Sequence, residues 1–222
     1  MKKTPSPSNV KRASLVDQVY EKLKWQILSM ELLPGSDLNE LDLCKKLKFG
    51  RGPVHHALQR LSHDRLVRIR PRKGVVVRAL SPRDIEELIE ARLPLELAIV
   101  RLAAERAEKV EAASLKKRLL EGRKLIVRRD REGLMKLDHD FHIGLAALTG
   151  NAVFEDLIAR LHQQSSILWF LQVSDEKTYA AVQKEHEAIL DCVIAGDGKG
   201  ASAAMMQHLN AFRMSPPKAK AM

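Results

Sequence analysis

More than half of this sequence repeats apolar residues at the spacing of an amphipathic helix. Six such segments follow residue 80, and glycine-containing breaks such as Gly150-Asn151 and Gly196-Asp197-Gly198 separate some of them. They cover 83–107, 111–128, 131–149, 152–172, 176–195 and 199–213. Because each segment must bury its apolar face against the others, this part of the chain is predicted to form an all-α six-helix bundle.

Three shorter helical segments come first. Ser14 is a suitable N-cap for a helix that ends at the turn Leu33-Pro34-Gly35. A second helix over 39–47 and a third that begins near Pro53 are separated by the break Phe49-Gly50. The order helix, turn, helix is that of a helix-turn-helix module.

Two β-type runs, 67–70 and 75–78, follow these helices. The residues between them, Pro71-Arg72-Lys73-Gly74, are typical of a hairpin turn and carry basic side chains at its tip. Residues 14–80 are therefore predicted to form a winged helix-turn-helix DNA-binding domain of three helices and a β-hairpin wing. The fold class expected for the whole chain is mainly α.

The excess positive charge of the chain is confined to this first part. Residues 1–80 carry 17 Lys or Arg and 7 Asp or Glu, whereas residues 81–222 carry 21 of each. A basic module next to a neutral one indicates a partner with a phosphate backbone. An anionic membrane surface is the weaker alternative, because the densest basic segment, 65–78, is strand-like and broken by Pro71 and Gly74. Double-stranded DNA is the expected partner.

The third helix and the hairpin tip supply the candidate DNA-binding residues. Val54, Ala57, Leu58 and Leu61 form the apolar stripe of this helix, which leaves its other positions facing outward. The candidates are Arg51, Gly52, His55, His56, Gln59, Arg60, Arg72, Lys73 and Gly74.

The run from Gly50 to Leu58, Gly-Arg-Gly-Pro-Val-His-His-Ala-Leu, resembles the run Ser-Arg-Thr-Pro-Val-Arg-Glu-Ala-Leu of GntR-family transcriptional regulators. The resemblance implies that Arg51 and the position held by His55 touch the operator. This sequence departs from the family at Gly50, Gly52, His55 and His56. An imidazole cannot make the bidentate contacts of a guanidinium, so the operator sequence does not follow from the family.

Four ionisable side chains fall on apolar helix faces of the second part. Asp138 and His142 lie one turn apart on one helix, and His186 and His208 lie on two others. Unpaired in a bundle core, these groups would cost several kcal/mol in lost solvation, so they must pair with one another or bind an ion. Three imidazoles and one carboxylate form a ligand set for a divalent metal such as Zn, Ni, Mn or Fe.

This second part, over about residues 83–213, also resembles the FCD ligand-sensing domain of the FadR-type branch of the GntR family. The resemblance rests on an Asp followed four residues later by His, and on two later histidines, His186 and His208, that are 22 residues apart. It implies a small carboxylate effector near the metal, held by Arg92. The alternative for Arg92 is an internal ion pair with Glu96, one turn away.

The chain is expected to act as a cytoplasmic homodimer that reads a pseudo-palindromic operator. Neither a signal peptide nor an apolar run long enough to span a bilayer is found in the sequence. Residues 1–13 are predicted to be a disordered basic tail and 214–222 a flexible tail. Cys44 and Cys192 lack metal-type spacing and are expected to be buried or half-buried.

Two further histidines and two rival functions complete the prediction. His139 and His162 are expected at the surface or the boundary of the bundle. No catalytic role is expected: a metal-dependent enzyme is the rival class, but Glu185 and Glu187 are expected to project away from the face of His186, so no clear general base lies beside the metal. The other rival is a regulator whose metal only stabilises the bundle.

Overall fold

The computed structural model describes residues 13–173 and 175–214. The two predicted tails, 1–13 and 214–222, lie outside the described residues except for residues 13 and 214. The chain divides into two compact units, Met1–Arg78 and Ala79–Met222.

The first unit contains three helices and a small antiparallel sheet. Its elements are α1 (Leu15–Leu28), β1 (Asp37–Leu38), α2 (Glu40–Leu47), α3 (Arg51–His63), β2 (Val67–Arg70) and β3 (Gly74–Val77). The central strand is β3, which pairs with β2 on one side and with β1 on the other. The predicted winged helix-turn-helix is confirmed, and the two-residue strand β1 is an addition to it.

Local signals in the sequence account for the ends of these elements. Ser14 caps α1 through a capping box with Asp17, and Asn39 caps α2 by accepting from the backbone of Leu41. Helix α3 begins at Arg51, two residues before Pro53. At the hairpin, Gly74 has φ +87°, a left-handed conformation that costs glycine nothing.

The second unit is entirely helical among the described residues. Its helices are α4 (Pro82–Arg106), α5 (Lys109–Leu120), α6 (Gly122–Arg128), α7 (Arg131–Ala147), α8 (Ala152–Gln172), α9 (Glu176–Ile194) and α10 (Gly198–Met214). Ser81 caps α4 through a capping box with Asp84, as its sequence predicts. The all-helical fold predicted for this part is confirmed.

One predicted helix, 111–128, is divided into two. Helix α5 ends at Leu120, and after Glu121 the next helix, α6, begins at Gly122. A Cβ on Gly122 would collide with the side chain of Gln183 on α9, so glycine permits the close approach of these helices. Apolar periodicity continues through the break, because Leu119 and Ile126 are both buried, and this is why the pattern did not reveal it.

The main apolar core of this unit lies among α4, α5, α7, α9 and α10. Phe141, Leu145, Ile99, Ile189 and Leu209 are its buried centre. Helix α4 packs against α10, α7 packs against α8, and α9 packs against α10. Helix α4 also contacts α7 and α9, so it packs against all three helices on whose apolar faces the ionisable side chains were predicted. Among the described residues, no helix is both long and apolar enough to cross a membrane.

Candidate metal centre and DNA-reading surface

The four predicted metal ligands are buried and adjacent. Asp138 and His142 come from α7, His186 from α9 and His208 from α10, and at most 5% of the surface of each is exposed. His186 Nε2 lies 3.3 Å from His208 Nε2 and 3.5 Å from Asp138 Oδ1. One ligand atom from each of His142, His186 and His208 lies within 4.8 Å of the others. The structure therefore brings these four residues, which are up to 70 positions apart in the chain, into one cluster.

A fifth side chain, His162 on α8, lies in the same cluster. The sequence placed it at the surface or the boundary of the bundle, and that prediction is wrong, because only 2% of its surface is exposed. Its Nε2 donates to Asp138 Oδ2 at 3.0 Å. His139 remains half-buried, with its Nδ1 lying 3.2 Å from His162 Nδ1.

A signal for the burial of His162 was present in the sequence. Ile158, Ser165, Ser166 and Trp169 are buried with it, and their spacing of three and four residues marks one face of α8. The two serines interrupt the apolar pattern of that face, but each hydroxyl donates to a backbone carbonyl one turn earlier and so meets its hydrogen-bonding need locally. Counting small polar residues as part of the face would have identified it.

Carboxylates outside the cluster orient two of its imidazoles. His142 Nδ1 donates to Glu96 Oε2, and Glu185 Oε2 lies 2.8 Å from His208 Nδ1. A carboxylate on one ring nitrogen holds the ring and leaves the other nitrogen for a ligand. Glu185 was expected to point away from the site, and the structure shows that it contacts His208 of a neighbouring helix instead.

The protonation states in this cluster suit a metal. Burial lowers the pKa of His142 to about 4 and that of His186 well below its ordinary value, so both imidazoles are neutral near pH 7. Burial alone would raise the pKa of Asp138, but the hydrogen bond from His162 and the neighbouring imidazoles lower it. The cluster thus offers a carboxylate and neutral imidazole nitrogens, the forms that bind divalent ions.

One oxygen of Asp138 also fits an ion. Oδ1 is buried and has no hydrogen-bond partner among the described residues. A buried carboxylate oxygen without a donor is costly unless a cation or an N–H group meets it. The four side chains and this oxygen therefore fit a divalent metal ion.

The inward cation Arg92 takes part in an ion pair. Its Nε donates to Glu96 Oε1 at 2.7 Å, and both side chains are buried. Glu96 therefore stands between Arg92 and His142. Burial alone would raise the pKa of Glu96, but the guanidinium of Arg92 and then His142 hold it well below its ordinary value. The internal pair that the sequence offered as an alternative is present.

A small pocket opens beside Asp138 and His186. Leu134, Leu137 and Val182 line its apolar part, and Trp169, Tyr179 and Gln183 complete it. Trp169 Nε1 is buried and has no hydrogen-bond partner among the described residues. The pocket thus borders both the polar cluster and the indole of Trp169.

In the first unit, the predicted DNA-binding positions of α3 face outward. Arg51, Gly52, His55, His56, Gln59 and Arg60 are all exposed. Glu40, at the start of α2, holds two of them, since Arg51 Nε donates to its Oε1 at 3.1 Å and His55 Nδ1 lies 3.2 Å from its Oε2. Glu40 was not identified from the sequence, because its partners are 11 and 15 residues away in the chain.

Arg60 is held more firmly than the other candidates on α3. Its guanidinium donates to Asp17 Oδ1 at 2.9 Å and lies 3.8 Å from the centre of the Tyr20 ring. Both partners belong to α1. These contacts fix Arg60 at the side of the outward face where α3 meets α1.

The tip of the wing presents its three candidates to solvent. Arg72, Lys73 and Gly74 are exposed, and Lys73 N donates to Arg70 O at 3.0 Å to close the turn. Arg72 has φ +61° and Gly74 has φ +87°, so two left-handed residues shape the tip. An exposed, basic hairpin tip of this kind suits contact with a phosphate backbone or a groove.

Comparisons with known proteins match each unit of the chain to a family. Residues 87–211 match the family model of the FCD domain, and residues 15–77 match that of the bacterial regulatory proteins of the gntR family. The chain is 27% identical over 195 residues to the HTH-type transcriptional regulator YdhC of Bacillus subtilis, covering 87% of each protein. It is 31% identical to the Nta operon transcriptional regulator of Aminobacter aminovorans, covering 72% of this chain and 74% of that protein. The solved structure of E. coli McbR/YncC is similar in fold, with a TM-score of 0.78 and 21% identity over 90% of this chain and 95% of that one.

Proposed function

Since the chain belongs to the gntR family of bacterial regulatory proteins and carries an FCD domain, it is a transcriptional regulator, and we propose that a small carboxylate bound at a metal site sets its affinity for operator DNA. Its families and relatives are transcriptional regulators, not enzymes. We assign DNA binding to residues 14–80 and effector sensing to residues 83–213. A cytoplasmic homodimer of the FadR-type branch is the form in which we propose that it acts.

The observation that carries this proposal is the buried Asp138 Oδ1, which has no hydrogen-bond partner among the described residues. Asp138, His142, His186 and His208 would hold the ion. A divalent ion, when bound there, would supply a Lewis-acidic centre that attracts a carboxylate oxygen. Glu96 and Glu185 keep the rings of His142 and His208 in the orientation that binding needs.

The pocket beside Asp138 supports the proposal of a small anionic effector. Its apolar wall suits a short carbon chain, and the indole N–H of Trp169 is an unused donor for a polar group of that ligand. Arg92 is proposed as the cation that attracts the carboxylate. Its ion pair with Glu96 connects it to His142, so a change at the ligand cluster reaches Arg92 through two contacts.

The DNA side of the proposal rests on helix α3 and the wing. Arg51, His55 and Gln59 are exposed on one helix, and the basic tip at Arg72 and Lys73 follows it in the chain. Helix-turn-helix proteins read base edges with such a helix and touch the backbone with neighbouring basic residues. A homodimer would present two such helices to the half-sites of a pseudo-palindrome.

A metal that only stabilises the helices is the second candidate, favoured by the depth at which the cluster is buried. Metal analysis and thermal shift with acetate, succinate and citrate distinguish this structural metal from a metal that binds a carboxylate effector. We expect bound metal in the wild type and a carboxylate that raises its melting temperature, with neither in His186→Ala/His208→Ala. His63→Ala, an exposed histidine of α3, is the control and should retain both.

The consequence for DNA is measured on the same proteins. Operator sequences are selected from a random duplex pool with the wild type, and their affinity is then measured with and without the stabilising carboxylate. A change of at least about fivefold, the lower end of common allosteric couplings, supports the sensor. Bound metal with no carboxylate effect on melting or on DNA affinity contradicts the sensor and leaves the structural metal.

A further inference from the structure

His162 shares a specific arrangement with two of the proposed metal ligands. In His142 and His208, Nδ1 contacts a partner outside the cluster, which leaves Nε2 for the cluster. In His162, Nδ1 lies 3.2 Å from His139 Nδ1, and Nε2 lies 3.0 Å from Asp138 Oδ2. To ligate an ion through Nε2, His162 would carry its ring proton on Nδ1 and donate it to His139, and the ion would replace the hydrogen bond to Asp138. Three of the four buried imidazoles therefore use Nδ1 for the outer contact and turn Nε2 towards the cluster.

From this arrangement we propose that His162 is a fifth protein ligand of the metal, so that the site is made of four imidazoles and one carboxylate. The proposal rests on the metal site proposed above and extends it to a residue on a fourth helix, α8. Asp138, His142 and His162 each offer a ligand atom within 4.8 Å of the others, as do His142, His186 and His208. His142 belongs to both groups, and His186 Nε2 lies 3.5 Å from Asp138 Oδ1, so the two groups adjoin each other.

The separations between neighbouring donors agree with a single shared ion. Two ligand atoms at about 2.1 Å from one ion lie roughly 3 to 3.5 Å apart when they occupy neighbouring positions. The separations observed are 3.0 Å for His162 Nε2 to Asp138 Oδ2, 3.3 Å for His186 Nε2 to His208 Nε2 and 3.5 Å for His186 Nε2 to Asp138 Oδ1. The distance between His162 Nε2 and Asp138 Oδ2 equals that expected of two ligand atoms whose bonds to one ion form a right angle.

Five protein donors determine what else can bind. If these five donors held an ion that accepts six ligands, one position would remain, and an effector carboxylate would bind there through a single oxygen. Zinc sites usually have four ligands, so five donors favour ions that accept six, such as nickel, manganese or iron. His162 thus restricts both the resident metal and the geometry of the effector.

The alternative role of His162 is that of a hydrogen-bond donor that only positions Asp138. Both roles lower metal affinity when His162 is lost, because outer contacts also change affinity by about 10 to 100-fold. Affinity alone therefore cannot separate them. A measurement that counts the imidazoles on the ion is needed.

Cobalt(II) supplies this count. In the full chain loaded with Co²⁺ in ordinary water, each ligating imidazole gives a strongly shifted proton NMR signal from its ring N–H, and the signal vanishes in heavy water. We expect such signals from His142, His162, His186 and His208 in the wild type, and the loss of one of them in His162→Gln. His63→Gln, the same change at an exposed histidine, should keep the full set.

The outcomes separate the two proposals. Signals from only three imidazoles in the wild type, with the same three in His162→Gln, overturn the fifth ligand and leave the metal site standing. Failure of the wild type to bind Co²⁺ overturns both. The count in the wild type decides the matter even where His162→Gln does not fold, and selective ¹⁵N labelling of histidine assigns the shifted signals to imidazole.

Discussion

Asp138 on α7 connects two histidines from different helices, since its Oδ2 accepts from His162 at 3.0 Å and its Oδ1 lies 3.5 Å from His186 Nε2. The first contact is a hydrogen bond, whereas Oδ1 has no hydrogen-bond partner among the described residues. The two oxygens of one buried carboxylate are thus unequal. Oδ1 is therefore the oxygen that could meet a cation, and Asp138 is the residue at which the proposed metal site is best tested.

Replacing Asp138 by Asn should lower metal affinity by at least about tenfold while the fold is kept. The amide has nearly the same volume as the carboxylate but lacks the charge and the second strong oxygen ligand. Competition titration with a coloured chelator measures the change. Asp140→Asn, on the exposed side of the same helix, should leave the affinity unchanged, and an equal loss in both variants would contradict the role given to Asp138.

The metal-free protein should lose stability as the pH falls from about 6.5 towards 4. Burial lowers the pKa of His142 to about 4, so the unfolded chain takes up this proton before the folded chain does. The stabilising effect of the neutral ring is fully present above pH 6.5 and decreases as the pH falls through the interval. A histidine of this kind contributes at most about 3 kcal/mol to the change in the free energy of unfolding, and His186 shifts in the same direction.

Urea unfolding in the presence of a chelator measures this dependence. Trp169 fluorescence reports the helical unit when Trp25 of the first unit is replaced by Phe. His142→Gln should make the dependence shallower, whereas His63→Gln should not change it. A free energy of unfolding that stays constant between pH 6.5 and 4.5 would contradict the burial of neutral imidazoles.

Replacing Arg92 by Met should lower the free energy of unfolding by about 3–5 kcal/mol, because it leaves the Glu96 carboxylate buried without its cation. Helix α4 offers a matched control with the same spacing. Arg83 pairs with Glu87 at the surface, where solvent screens the pair, and Arg83→Met should change stability far less than Arg92→Met does. Urea unfolding curves for the two variants test this, and similar losses in both would refute the buried pair.

Glu40 should weaken the binding of helix α3 to DNA of random sequence. Its carboxylate contacts Arg51 and His55 and lowers the positive potential of the surface proposed to meet phosphate. We expect Glu40→Gln to raise affinity for random duplex DNA by several-fold. The ratio of the affinity for selected DNA to the affinity for random DNA should then decrease. Glu21→Gln on α1 makes the same change of charge elsewhere in this unit, and fluorescence anisotropy at two salt concentrations compares them. A larger effect at Glu21 would exclude this role for Glu40.

Neutralising the wing tip should weaken binding to all sequences alike. Arg72→Ala and Lys73→Ala each remove a candidate phosphate contact from an exposed turn. If each residue neutralises one phosphate, the slope of log affinity against log salt concentration decreases by about 1 per residue. Anisotropy titrations over a salt series give the slope. A selective loss for one DNA sequence would instead indicate that the tip reads bases.

Most of the fold followed from local patterns. Ser14 and Ser81 marked helix starts, and the two β-type runs on either side of Pro71-Arg72-Lys73-Gly74 marked the wing. The break at Gly122 did not follow, because buried residues lie on both sides of it. The reason for the glycine is the close approach of Gln183 from α9 and Leu137 from α7, which leaves no room for a Cβ.

The candidate site divides in the same way. Spacing on single helices placed Asp138, His142, His186 and His208 on inward faces, since a helix turns by a constant angle per residue and apolar neighbours report which side is buried. The burial of His162 was not predicted, because Ser165 and Ser166 lie on the same face of α8 and interrupt its apolar pattern.

By itself, the sequence determined the two classes of module, the location of the basic charge and the inward faces of the helices, because these depend on neighbours a few residues apart. Only the tertiary structure decided the pairing of Arg92 with Glu96 in preference to a free guanidinium, the outer partners of His142 and His208, and the contact of Glu40 with Arg51. Such contacts join side chains of different elements or choose between partners, and side-chain directions across a packed interface are set by how the helices dock, which no local pattern records.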